Sequence, residues 1–144
     1  MSYSTRFGER LIEVLLVDTN IFLELFLGQE RAEDCERFLE KTSSGELEAT
    51  ITRFTVYAIE ATLNDSKLIL TFLRNLQNSL GLNVYETSLE DEMAASMLMD
   101  EIKLDFDDSL QYYVAKKLGV NSIVSYDKHF DQVDIERKEP ADFI

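Results

Sequence analysis

An α/β fold, a three-layer α/β/α sandwich around a central parallel sheet, is what this sequence predicts. Two observations lead there. Short apolar or β-branched runs alternate with longer stretches whose apolar residues recur at helical spacing, and no Asn-Gly or Asp-Gly dipeptide offers a tight hairpin between neighbouring strands. A third sets the scale: 144 residues at 45% hydrophobic content suit one domain, residues 1–144, with a filled core.

The elements follow in order. Residues 1–10 are polar and charged, without the apolar run of a signal peptide, and read as a flexible or peripheral segment. Ile12 to Val17 (IEVLLV) suits a buried parallel strand that stops at Asp18. Ile21, Phe22, Leu25 and Phe26 then recur as in a helix; after Gly28 a second pattern aligns Ala32, Cys35, Phe38 and Leu39 until Ser43-Ser44-Gly45. Leu47 to Thr52 alternates like a strand, and Phe54 to Leu63 reads as a helix stopped by Asn64-Asp65.

Ser66 to Leu80 is more apolar than one buried stripe requires, so its excess suits a subunit interface, with Gly81 as the C-cap. Asn83 to Glu86 is a further short strand. Ser88 with Asp91 resembles a helix start, and Met93, Ala94, Met97 and Leu98 are expected as the inner face of that helix. Phe106 to Leu118 is a helix capped by Gly119, leading into the β-branched strand Val120 to Ser125, which ends at Tyr126-Asp127.

Composition excludes several chemistries. The single cysteine, Cys35, rules out an intrachain disulfide and a multi-thiolate metal site, and its apolar neighbours mark it as a packing residue. His129 is the one histidine, which removes a His-based zinc site and leaves a Ser-His-Asp triad to a single loop residue. Neither glycine-rich phosphate-binding motif occurs. No segment has the roughly 20 apolar residues of a membrane helix, so a soluble, cytoplasmic protein is expected. The 28 acids against 14 bases, net charge −14, oppose the basic footprint of a nucleic-acid binder unless bound cations reverse the potential locally.

Acids are what remain. Asp18 and Asp127 stand at the carboxyl ends of expected strands, the edge where open α/β sheets place their sites, although each can also serve as a helix or turn cap. Glu60 is the one charged residue between Thr55 and Leu63, and a half-buried carboxylate there needs a cation, a hydrogen-bonding partner or a proton. Asp107 and Asp108 open their helix, where acids also complement the helix dipole. Carboxylates converging on one edge select a hard divalent cation, Mg²⁺ or Mn²⁺.

Four blocks in order resemble the PIN domain family, the ribonucleases that include VapC-type toxins. They are V17-D18-T19-N20-I21-F22-L23, T55-V56-Y57-A58-I59-E60, D107-D108-S109-L110-Q111-Y112-Y113-V114-A115 and I123-V124-S125-Y126-D127-K128-H129-F130. The resemblance implies metal-binding, catalytic acids at Asp18, Glu60, Asp108 and Asp127, with Asn20 and Ser125 as polar supports; it also favours Asp108 over Asp107. His129 stands where the family often has a further acid, and Ser125 where threonine is commoner. The function implied is cleavage of single-stranded RNA with one or two Mg²⁺ or Mn²⁺ ions; a homodimer or higher homo-oligomer is expected, and the resemblance to VapC-type toxins implies an antitoxin partner. Lys128 and Arg53, with Lys103 and His129, are candidates to steer phosphates.

Two rivals stand beside this. A PIN-like interaction module, catalytically weak or inactive, suits the −14 charge and the leucine-rich helix. A phosphorylated receiver domain also uses acids at strand ends, but the paired acids after the first strand and the lysine after the last are missing.

Overall fold

The computed structural model describes residues 5–7 and 10–144, with side chains from Glu13 onward. Thr5–Phe7 (β1) and Arg10–Ile12 (β2) pair as an antiparallel ribbon. The rest of the expected peripheral segment, residues 1–4 and 8–9, lies outside the described residues. The run from Ile12 to Val17 is thus split at Glu13, and Val14–Val17 (β3) alone enters the main sheet.

Glu48–Thr52 (β4), Leu82–Tyr85 (β5), Ser122–Val124 (β6) and Glu136–Lys138 (β7) complete that sheet, five strands in the order β5-β4-β3-β6-β7. Every pairing is parallel. β3 is central because VLLV has no polar residue, and all four side chains are buried. Strand alternation divides them between two cores. Leu15 and Val17 pack with Ile21, Phe38, Ile59 and Phe72, while Val14 and Leu16 pack with Ala95, Leu110, Val114 and Phe130. Thr19–Phe26 (α1), Ala32–Ser44 (α2), Arg53–Leu63 (α3) and Ser66–Asn78 (α4) cover the first face. Leu89–Ile102 (α5) and Phe106–Leu118 (α6) cover the second, so the expected three layers are present.

Several local signals act as read. Ser88 and Asp91 form a reciprocal capping box, Gly119 closes α6 at φ 66°, and Asn64 ends α3 at φ 42° before Asp65 caps α4. No helix among the described residues is long and apolar enough to cross a membrane.

Two expectations are corrected. On α5 the inner face is not that of Met93, Ala94, Met97 and Leu98: Met93 is 59% and Met97 82% exposed, while Asp91 and Ala95 are buried. The cap decides the rotation. Asp91 accepts from Lys117 Nζ (2.8 Å), Tyr85 Oη (2.9 Å) and Ser88 N (3.0 Å). Burial alone would raise its pKa, but these contacts outweigh it and hold the carboxyl down at about 2. An anchored ion at this position turns the face one turn apart, Asp91 and Ala95, inward.

The second correction concerns Gly81, which does not cap α4, because that helix stops at Asn78 with Ser79 as its C-cap. Gly81 is needed for a close approach: its N donates to Thr42 O (2.9 Å), its O accepts from Ala49 N (2.7 Å), and a Cβ there would stand 2.2 Å from Leu47 O. Backbone atoms on both sides leave nothing flexible to yield. Gly81→Ala is expected to cost about 1–3 kcal/mol, a fall of roughly 5 °C in melting temperature by scanning calorimetry. An unchanged melting temperature would mean that the strand entry is free to move. One strand, β7, was not expected, because its sequence Glu136-Arg137-Lys138 carries no apolar signal at all.

Chain order places the site. β3, β4 and β5 run successively toward one edge, and the chain then crosses back to lay β6 and β7 on the other side of β3. The direction of winding reverses between β3 and β6, and a crevice at their carboxyl ends is the expected binding position in such a sheet.

Candidate metal centre

Asp18 follows β3 directly, and its N–H donates to Val124 O (2.9 Å), which sets it between the ends of β3 and β6. It occupies the N-cap position of α1 yet makes no side-chain cap. Its oxygens accept instead from Gln111 Nε2 (2.8 Å) and Ser125 Oγ (2.6 Å), and only 4% of the residue is exposed. The capping alternative for Asp18 is therefore excluded by geometry. Burial raises its pKa above the ordinary carboxylate value; the Ser125 and Gln111 bonds oppose the shift, and the charge of Asp127 adds to it.

At the start of α6 three neighbouring acids divide their work. Asp105 is the cap, accepting from Asp108 N (2.9 Å), and this frees Asp107 and Asp108 for the crevice. Gln111 is fully buried one turn after Asp107 and bridges two carboxylates, donating to Asp18 and, at 3.2 Å, to Asp107 Oδ1. Its Oε1 is buried with no partner among the described residues. Carboxylate oxygens of Asp18, Asp107 and Asp108 all lie within 4.8 Å of one another. A second group within the same reach joins Asp108 to Asp127 and His129.

Ser125 Oγ ties the two strand ends together. It donates to Asp18 Oδ2 and accepts from Asp127 N (2.9 Å) and Asn20 Nδ2 (3.3 Å), while Asn20 Oδ1 accepts from Tyr126 N (3.4 Å). Asp127 both belongs to the cluster and caps the following turn, with Oδ1 accepting from His129 N (2.9 Å) and lying 3.1 Å from His129 Nδ1. The two readings of Asp127 are thus compatible.

Crowding of like charge marks the centre electrostatically. Burial, then the charge of Asp18, lifts Asp107 to about 6. Burial, then Asp18, Asp105 and Asp127, lifts Asp108 to about 8. An all-oxygen set of carboxylates that cannot ionise together without help is the donor chemistry a hard divalent cation fits, and His129 adds a nitrogen that Mn²⁺ tolerates better than Mg²⁺.

The sequence-derived set is only partly gathered. Asp18, Asp108 and Asp127 converge, with Asn20 and Ser125 bonded between them. Glu60, part-exposed on α3, belongs to neither group, and its charge bears on Arg53. Arg53 pairs with Glu86 (3.8 Å) and lies over the Tyr57 ring (5.0 Å). Lys128 is exposed beside Asp127. Gln111 was missed, although its spacing of one helical turn from Asp107 was a signal available in the chain.

The PIN domain family model matches residues 15–136, most of the chain. The chain belongs to the PIN domain family. Solved structures agree in fold. This PIN domain is similar to a toxin–antitoxin complex from Klebsiella pneumoniae, at 18% identity and TM-score 0.69, over 88% of this chain and 97% of that one. It is similar also to a Mycobacterium tuberculosis VapC toxin that cleaves the sarcin-ricin loop, at 18% identity and TM-score 0.66, over 81% and 92%. A third is a VapBC complex from Rickettsia felis bound to DNA from its promoter, at 14% identity and TM-score 0.64, over 88% and 98%. No curated protein matches the chain in sequence.

Proposed function

We propose that this single PIN domain is a metal-dependent endoribonuclease that hydrolyses phosphodiester bonds of single-stranded RNA, and that it acts in the cytoplasm as the toxin of a toxin–antitoxin pair. The observation that carries the reading is the convergence of Asp18, Asp107 and Asp108 at the switch point of a PIN sheet, with Asp127 reaching Asp108 from the other side.

A bound Mg²⁺ or Mn²⁺ would supply a water of lowered pKa and offset charge developing on the phosphate. The residues supply the rest. Asp18 is oriented at both oxygens by Gln111 and Ser125, Asp108 is common to both groups, and Asp127 is fixed by the bond from its own N–H to Ser125. Glu60 we assign as the outlying acid of the set, and Lys128 and Arg53 as phosphate-steering cations.

Partners follow the same reading. A groove of about 490 Å³ lined by Phe22, Phe26, Leu39 and Phe72 together with Glu36 and Glu40 includes none of the clustered acids and suits an amphipathic segment of an antitoxin. Homo-oligomerisation is supported by the exposed stripe Leu89, Met93 and Met97 on α5, together with Leu68 and Leu70 on α4. The same stripe and the −14 charge are what favour the second reading, an inactive interaction module.

An RNA cleavage assay with and without Mn²⁺ separates the two. Cleavage is expected in Mn²⁺ and none in chelator, where RNA binding at physiological salt should be weaker than about 1 μM because an acidic surface gains no counterion release. Submicromolar binding in chelator would contradict the role given to the cation, and intact RNA under every divalent metal would leave the interaction module.

A further inference from the structure

We propose that Arg137 is a positioning residue of the metal centre that acts through Ser125; the inference rests on the metal-dependent reading above. Ser125 lies one residue past β6, and its N–H continues the parallel ladder by donating to Lys138 O (2.9 Å). In a parallel pair the carbonyl of such a residue next accepts from the residue two beyond that acceptor. Here that residue is Pro140, the only proline of the chain, which has no N–H to give.

Arg137 fills the gap. Its Nη1 donates to Ser125 O at 2.9 Å, and only 13% of its side chain is exposed. The guanidinium cannot drift, because Nε donates to Asp131 Oδ1 (2.9 Å) and Nη1 also to Glu139 Oε2 (2.8 Å). Both backbone polar groups of Ser125 are therefore held by β7, one by the ladder and one by a side chain. Ser125 Oγ is the atom that fixes Asp18 at 2.6 Å and receives Asp127 N at 2.9 Å. A shift of the Ser125 carbonyl moves the hydroxyl that sets two of the clustered acids. A lysine at 137 keeps the charge and one donor but loses the planar fork that holds its direction.

The test is Mn²⁺ binding, read by the loss of the free-ion electron paramagnetic resonance signal, independent of any RNA. Arg137→Met is expected to weaken binding by about tenfold or more, the usual effect of removing a group that orients a ligand. Arg137→Lys should recover part of that loss. Ser125→Ala with Arg137→Met should be no weaker than Ser125→Ala alone, because the two act along one line. Lys116→Met, which breaks the ion pair with Asp134 (3.1 Å) beside Asn121 at the opposite ends of the strands, should leave Mn²⁺ binding unchanged.

A folded Arg137→Met protein that binds Mn²⁺ within twofold of the parent overturns the inference and leaves the metal centre standing. Should that variant not fold, Asp131→Asn with Glu139→Gln loosens the guanidinium but keeps its bond to Ser125; binding about threefold weaker supports the role, and unchanged binding overturns it. A parent protein that takes up no Mn²⁺ overturns both the inference and the reading beneath it.

Discussion

Asp108→Asn is expected to cut Mn²⁺-dependent RNA cleavage by at least about 100-fold while raising the melting temperature in chelator. Asp108 is the residue common to both groups of side chains that could hold a metal ion, so under the proposed function its charge contributes to either arrangement of the cation, and loss of a direct ligand would exceed the 10- to 100-fold typical of its supports. Without metal the same charge is a burden: burial and the carboxylates of Asp18, Asp105 and Asp127 all oppose it. An amide removes that repulsion. Asp18→Asn should lose cleavage to the same degree but with the opposite effect on stability. Both Asp18 oxygens are acceptors, and an NH₂ in place of either one faces Gln111 Nε2 or a Ser125 hydroxyl that already accepts from Asn20 and Asp127. Single-turnover cleavage and thermal melts in chelator measure the pair, and full activity in both variants removes the nuclease assignment.

That contrast shows what the sequence can and cannot tell. Asp18 was legible because a strand of four apolar residues ended on it, and Asp127 because a β-branched strand ended beside it, whereas Ser125 was singled out only by the resemblance of its block to the PIN family. Those are short continuous runs, apolar or β-branched, which survive without knowledge of the fold. The choice between Asp107 and Asp108 was not legible. Both reach the crevice, because Asp105 takes over the capping that either might have done, and that division appears only in three dimensions. Gln111 looked like one more polar residue on a helix; its full burial and its bond to Asp18, 93 positions away in the chain, appear only in the fold. The rotation of α5 was misread for a related reason: methionines suggested the inner face, but the ion pair of buried Asp91 with half-exposed Lys117 on the next helix outweighed them. β7 left no pattern, since an edge strand of three residues can be wholly charged and still pair. Patterning finds what is buried on its own account, and it fails where burial depends on a distant partner.

The second large effect is on pH and separates the centre from the acidity of the whole chain. Asp108 moves from an ordinary 3.8 to about 8 and Asp107 to about 6, both upward, which for an acid is the unfavourable direction above pH 4. Between about pH 4 and 8 the folded protein holds protons that the unfolded chain has released, so stability falls as pH rises across that window. In chelator the melting temperature should therefore drop by several degrees between pH 5 and pH 8.5. Saturating Mn²⁺ should abolish most of that drop, because the cation takes the place of the proton, and its apparent affinity should climb through pH 6–8 and level off above. The net charge of −14 also destabilises the protein as pH rises, but it does so almost equally in Asp108→Asn. The variant should consequently show a much shallower slope than the parent. Identical slopes in chelator would assign the pH dependence to overall repulsion and leave the crevice without the trapped charge on which its affinity for a divalent cation depends.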